Sequence, residues 1–212
     1  MRAKRLFLFF AFLISACTSA ARTAPQSQIV DVYSTAAAAP WLNKLYDCAA
    51  ARSLTPRVVD SPFLAQIQIR IGEPDVFASP AYQIGEEEIL MVVNRESPIQ
   101  SLTLAEAQAL FAEQGRPSVQ VWVYASGEDV QKVFDQFVMS GRSVTSSARL
   151  AVNPQQMSDI LSAEKNAIGI LPRHWKVGTV RDVFSAAAVP VLALIKPEPN
   201  EVIMGLITCL QK

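Results

Sequence analysis

Residues 89–93 read Ile-Leu-Met-Val-Val, an apolar run without a single polar side chain. Strand side chains point alternately to two faces, so such a strand must be covered on both of them. Its surroundings supply the cover. Ile29 to Tyr33 and the alternating Ala65 to Ile71 read as strands, the second ended by Gly72-Glu73-Pro74. Trp41, Leu42, Leu45, Tyr46 and Ala49 share one helical face. Thr103-Leu-Ala-Glu106 is a capping box that opens a helix over 104–114, stopped by Gly115. Val119 to Tyr124 is a strand, and Ser126-Gly-Glu-Asp129 opens a helix that carries Val130, Val133, Phe134, Phe137 and Val138 and ends at Gly141. Asn153-Pro154 starts another helix, Ala167 to Pro172 is a short strand, and Val189 to Ile195 is a further strand. A last helix runs from about Asn200 to Leu210. Strands alternating with helices predict an α/β fold with mostly parallel sheets.

The amino terminus is a processing segment. Arg2, Lys4 and Arg5 precede the apolar run Leu6 to Ile14, which is too short to cross a bilayer. Ile14-Ser-Ala-Cys17 resembles the bacterial lipobox, which implies cleavage after residue 16 and a lipid on Cys17. A plain secretory signal cut after Ala20 is the alternative. Residues 17–27 lack an apolar period and read as a tether. Cleavage takes away three basic residues and no acidic one, leaving 16 against 19, a net charge of −3.

Composition excludes several classes. A chain that is 50% hydrophobic and 18% charged holds enough apolar material for a core and is not disordered. Its zero net charge offers no basic surface to a nucleic acid. One histidine and three cysteines leave little for a metal site. With Cys17 lipidated, Cys48 and Cys209 form an even pair in an exported protein, most simply a disulfide; two buried free thiols are the alternative.

Four stretches in order carry a resemblance: Glu88 to Asn94; Ser97-Pro-Ile99 with Leu102-Thr-Leu104 and Phe111; Tyr124-Ala-Ser-Gly127 with Phe134; and Asn166-Ala-Ile-Gly-Ile-Leu-Pro172. Together they resemble the type 2 periplasmic-binding-protein fold, in the branch of phosphate-binding proteins of ABC transporters. The resemblance implies two α/β lobes with a ligand cleft between them: residues 28–85 plus 175–212, and residues 86–174. The two cysteines would then lie within one lobe. It also implies an anion held against helix amino termini, at Ser34 and Thr35 in one lobe and at Ser126 and Gly127 in the other. Tyr124 and Glu128 complete the candidate ligand set.

The sequence departs from the branch at its second contact set. Where the family has Arg-x-Asp-x-Ser-Gly-Thr, this chain has Trp122-Val-Tyr-Ala-Ser-Gly-Glu128, with Asp129 following. A carboxylate there opposes an anion by about 1–4 kcal/mol at surface-like dielectric. The missing arginine removes about 1.5–3 kcal/mol more.

Each candidate has a plainer role beside it. Ser126 could simply cap a helix, Ser34-Thr35 could be a strand-end turn, and Trp122 and Tyr124 could be core. Arg142 and Arg149 flank a polar loop, and the lone His174 has no ligating companions. Ser162-x-x-Lys165 matches an acyl-serine spacing without its partner motifs. The expectation is a lipid-anchored, monomeric, extracytoplasmic binding protein. It would close its lobes over a small solute, a phosphate-like oxyanion or another, for an ABC permease, with no cofactor, metal, nucleic acid or catalysis. The alternative is a sensory or adaptor lipoprotein that binds a protein partner.

Overall fold

The computed structural model describes residues 28–76, 79–112, 118–197 and 199–212. The signal over 1–16, Cys17, the tether over 17–27 and the stop at Gly115 lie outside the described residues. Eight strands, β1 (Gln28–Ser34), β2 (Leu54–Val58), β3 (Ile67–Ile71), β4 (Ala81–Asn94), β5 (Gln120–Val123), β6 (Arg149–Leu150), β7 (Ala167–Pro172) and β8 (Val180–Ile195), form one sheet in the order β2-β1-β3-β8-β4-β7-β5-β6. Among the described residues five α-helices accompany them: α1 (Leu42–Ala50), α2 (Leu104–Phe111), α3 (Asp129–Phe134), α4 (Pro154–Ala163) and α5 (Glu201–Leu210).

The two long strands organise the molecule. β4 and β8 run antiparallel along each other from Ala81↔Leu194 to Asn94↔Val180, with register shifts that bend the pair. At one end β8 pairs with β3, and β3 with β1, which also pairs with the edge strand β2. At the other end β4 pairs with β7, then come β5 and β6. The outer pairs β1–β2, β1–β3, β5–β7 and β5–β6 are parallel, and the antiparallel pairs all involve a long strand. The expected α/β architecture is therefore present, with its parallel pairs in two groups on either side of the β4–β8 ribbon.

The apolar run is buried as its composition requires: Ile89, Leu90, Met91, Val92 and Val93 are fully enclosed. α4 packs against β7 and β4, and α3 against β7. On the other side α1 packs on β2 and on α5. Cys48 of α1 and Cys209 of α5 are joined by a disulfide with 5.9 Å between their Cα atoms.

Local signals act where expected. Thr103 accepts from the Glu106 N–H while Glu106 accepts from the Thr103 N–H. Asn153 and Asn200 accept from Gln156 and Ile203, three residues on. α3 departs from expectation. It starts at Asp129, with Glu128 as an N-cap that makes no side-chain bond, and continues as a π-turn over Asp135–Met139. It ends at Ser140 and Gly141, both with positive φ.

Candidate functional site

The carboxyl ends of β1, β3 and β5 converge on one cleft, the place where open α/β sheets bind ligands. β1 delivers Thr35, just past Ser34, and β3 delivers the Ile71 N–H. The chain leaving β5 delivers Gly127, Glu128 and Asp129 from the opposite group of strands. Gly72 makes the turn after β3 with φ +71°, and a Cβ there would stand 3.0 Å from Val133 of α3. The first turns of α3 thus lie directly on the end of β3.

Asp129 bridges the cleft. The Thr35 hydroxyl donates to its Oδ2 at 2.6 Å, and the Ile71 N–H donates to the same oxygen at 3.0 Å. Oδ1 accepts from the Val130 N–H at 2.9 Å. The residue is only 3% exposed. A buried carboxylate is tolerated when several donors converge on it, and here two of the three come from the other side of the cleft.

Beside this bridge lies an open cavity of about 370 Å³, lined by Thr35, Gln68, Arg70, Gly127, Glu128 and Lys132 among others. Arg70 Nε is buried there without a hydrogen-bond partner. Lys132 is paired with Asp75. Burial, and then the neighbouring Asp129 charge, hold the Glu128 carboxyl above the usual range. The cavity therefore presents an arginine with an unsatisfied Nε, whose charge also reaches Asp75, and an acid whose ionisation is penalised, on walls from opposite sides.

Of the residues expected from sequence, Thr35, Gly127 and Glu128 line this cavity. Ser34 is adjacent, and its hydroxyl donates to the Thr35 carbonyl at 3.0 Å. Ser126 is exposed and caps nothing. Tyr124 is buried, its hydroxyl donates to the Ile170 carbonyl at 2.8 Å, and desolvation drives its acidity well down. It is a core residue here rather than a lining one. Trp122 stacks under the Arg149 guanidinium, 5.6 Å from the ring centroid. Arg70 was not a candidate, because one arginine in an alternating strand carries no local signal of what its side chain faces.

A second set of contacts lies at the middle of β4. Glu87, 1% exposed, accepts from Trp41 Nε1 at 2.9 Å and from the His174 N–H at 3.2 Å. Its Oε2 also stands 2.6 Å from His174 Nδ1. Trp175 Nε1 donates to the Ala37 carbonyl at 2.9 Å. Trp41 lies so close over β4 that a Cβ on Gly85 would stand 2.1 Å from its ring.

Other chemistry is not assembled. Ser162 bonds to the Ser158 carbonyl and to Thr179, while the Lys165 ammonium sits on Glu96. Among the described residues no three histidines, cysteines or carboxylates group as metal ligands, and no helix is long and apolar enough to cross a membrane.

This arrangement, two α/β halves connected by long shared strands with a cleft at the strand ends, is the type 2 periplasmic-binding-protein fold. Solved structures bear out the class. The chain superposes with TM-score 0.76 on a protein of Clostridium perfringens assigned as a phosphate ABC transporter substrate-binding protein and solved with bound phosphate, at 14% identity over 86% of this chain and 93% of the other. An ABC-type phosphate transport receptor from Vibrio cholerae gives 0.64 at 13% identity, over 86% and 93%. The reduced regulatory domain of OxyR2 from Vibrio vulnificus gives 0.68 at 10% identity, over 87% and 95%. No protein-family model matches the chain, and no curated protein matches it in sequence. Identities this low establish the fold, which transport receptors and a regulatory domain share.

Proposed function

We propose that the chain is an extracytoplasmic binding protein, anchored by a lipid on Cys17, that closes on a small polar solute bearing both signs of charge. One observation carries this reading: a single cavity has Arg70, whose buried Nε has no hydrogen-bond partner, on one wall and Glu128 on the other. Arginine offers a rigid fork of donors to an anionic group, and a carboxylate takes a cation or donor. A cationic group beside Glu128 would also relieve the repulsion from Asp129. Phosphate fits poorly, because Thr35 and Ile71 are already bonded to Asp129 and a dianion would face two carboxylates.

The lobes of this reading are residues 28–85 plus 175–212, and residues 86–174. Gly85, Glu87 and His174 then stand at the joint. The protein performs no chemistry, and delivery to an ABC permease is the role suggested by the phosphate-transport neighbours. The test is a thermal-shift and calorimetric panel of amino acids, betaines, monocarboxylates, sulfate and phosphate. A zwitterion is expected to stabilise the protein, with binding lost in both Arg70→Ala and Glu128→Gln. Binding that survives both substitutions refutes the assignment.

The adaptor reading is favoured by Phe63 and Leu64, exposed by 86% and 63% next to the cavity-lining Pro62. It predicts that a photoreactive side chain at position 63 crosslinks one defined protein in the native membrane, and the solute reading predicts none.

A further inference from the structure

We infer that the seat between Thr35 and Ile71 is an oxyanion site which the chain fills with its own Asp129 carboxylate. An external carboxylate or tetrahedral oxyanion would enter it only when that side chain is removed. The donors at this seat are a hydroxyl and a backbone N–H from the ends of β1 and β3, both aimed at one oxygen. They are separated from Asp129 by 94 and 58 residues, so the seat is built by one side of the cleft and filled from the other. No cation is within ion-pair distance of Asp129 among the described residues, so neutral donors alone hold the charge. Such donors act alike on any carboxylate or phosphate oxygen.

Two consequences follow from the geometry. First, the carboxylate holds the cleft together without solute, because its bonds cross from α3 to β1 and β3. Second, loss of the carboxylate unpairs the Thr35 hydroxyl and the Ile71 N–H and leaves a gap the size of a carboxyl group. Buried donors without acceptors are costly, which favours a replacement from solution. Arg70 and Lys132 line the adjoining cavity, so removal of the Asp129 charge makes the local field more favourable to an anion. The seat is built irrespective of the solute that the adjoining cavity takes.

The experiment compares the full chain, purified in detergent, with Asp129→Ala, Asp129→Asn and the double variant Asp129→Ala/Thr35→Val. Sodium acetate, sodium phosphate and sodium chloride are added at equal ionic strength, and melting temperature and binding heat are recorded. Asp129→Ala is expected to melt lower than the unaltered chain and to recover in acetate or phosphate but not chloride. Its anion affinity should exceed that of the unaltered chain by at least about tenfold, roughly 1.4 kcal/mol. Asp129→Asn should not recover, since its amide fills the seat, and the double variant should lose most of the recovery. If Asp129→Ala is unfolded in chloride, the same titration reads its folded fraction by circular dichroism, and acetate or phosphate should raise it. Absence of anion-specific recovery in Asp129→Ala, or equal recovery with Thr35→Val added, overturns the inference.

Discussion

Reduction of the Cys48–Cys209 disulfide is expected to cost more than any single core substitution. The bond joins α1 to α5 across a sequence separation of 161 residues, so it constrains nearly the whole described chain when unfolded. Loop-closure entropy for that length gives about 5 kcal/mol at 25 °C. For a domain of this size 1 kcal/mol corresponds to about 2–4 °C, so full delivery would lower the melting temperature by about 10–20 °C. Residual structure in the reduced chain pulls the value toward the lower end. The assay is a thermal melt with and without dithiothreitol, with the Cys48→Ser/Cys209→Ser variant as the reductant-free counterpart. The two should agree. A drop below about 2 °C, or two free thiols titrating in the unreduced unfolded protein, would refute the reasoning.

Three further outcomes follow from named contacts. Gly85→Ala forces Trp41 off β4 and breaks its bond to buried Glu87, with an expected loss of about 2–4 kcal/mol in chemical denaturation. Glu128 is held above the usual carboxylate range by burial and by Asp129, so the folded protein binds its proton more tightly than the unfolded chain does. Its contribution is therefore most favourable at low pH and declines as pH rises through the carboxylate range. Glu128→Gln should stabilise by a few tenths to about 1 kcal/mol near neutral pH and by nothing near pH 4, as read from melts across pH. Tyr124→Phe leaves the buried Ile170 carbonyl without its donor and should cost about 1–2 kcal/mol while solute binding is unchanged.

The parts of the fold legible in the sequence are those whose signal is local. β3, β7 and the apolar half of β4 carry their own alternating or continuous patterns, and α2, α4 and α5 carry caps that bond as the sequence suggests. The first half of β4 and the start of β8 were not legible. Gln83-Ile-Gly-Glu-Glu87 and Arg181-Asp182 carry no strand pattern of their own, and they are strands because each long strand pairs with the other. β2 hides for another reason: Thr55 and Arg57 are exposed and Pro56 is half-buried on a sheet edge, where proline costs no ladder bond.

The site divides in the same way. Thr35 and Gly127 were visible only through the resemblance to the phosphate-binding branch, and Glu128 as the place where the chain departs from it. The role of Asp129 was not. In sequence it is a first-turn acid that repels an anion; in the structure its carboxylate is bonded to a hydroxyl 94 residues away. Arg70 and Glu87 were silent because burial of a charge is decided by what the rest of the chain lays over it.

Calorimetric titration of the unaltered protein with phosphate tests the central claim most directly. With Thr35 and Ile71 committed to Asp129 and with Glu128 on the cavity wall, no saturable heat is expected below about 1 mM phosphate, a limit of about −4 kcal/mol. Micromolar binding with one site per chain would contradict the account. It would require the Asp129 bridge to open for an anion and Glu128 to leave the cleft.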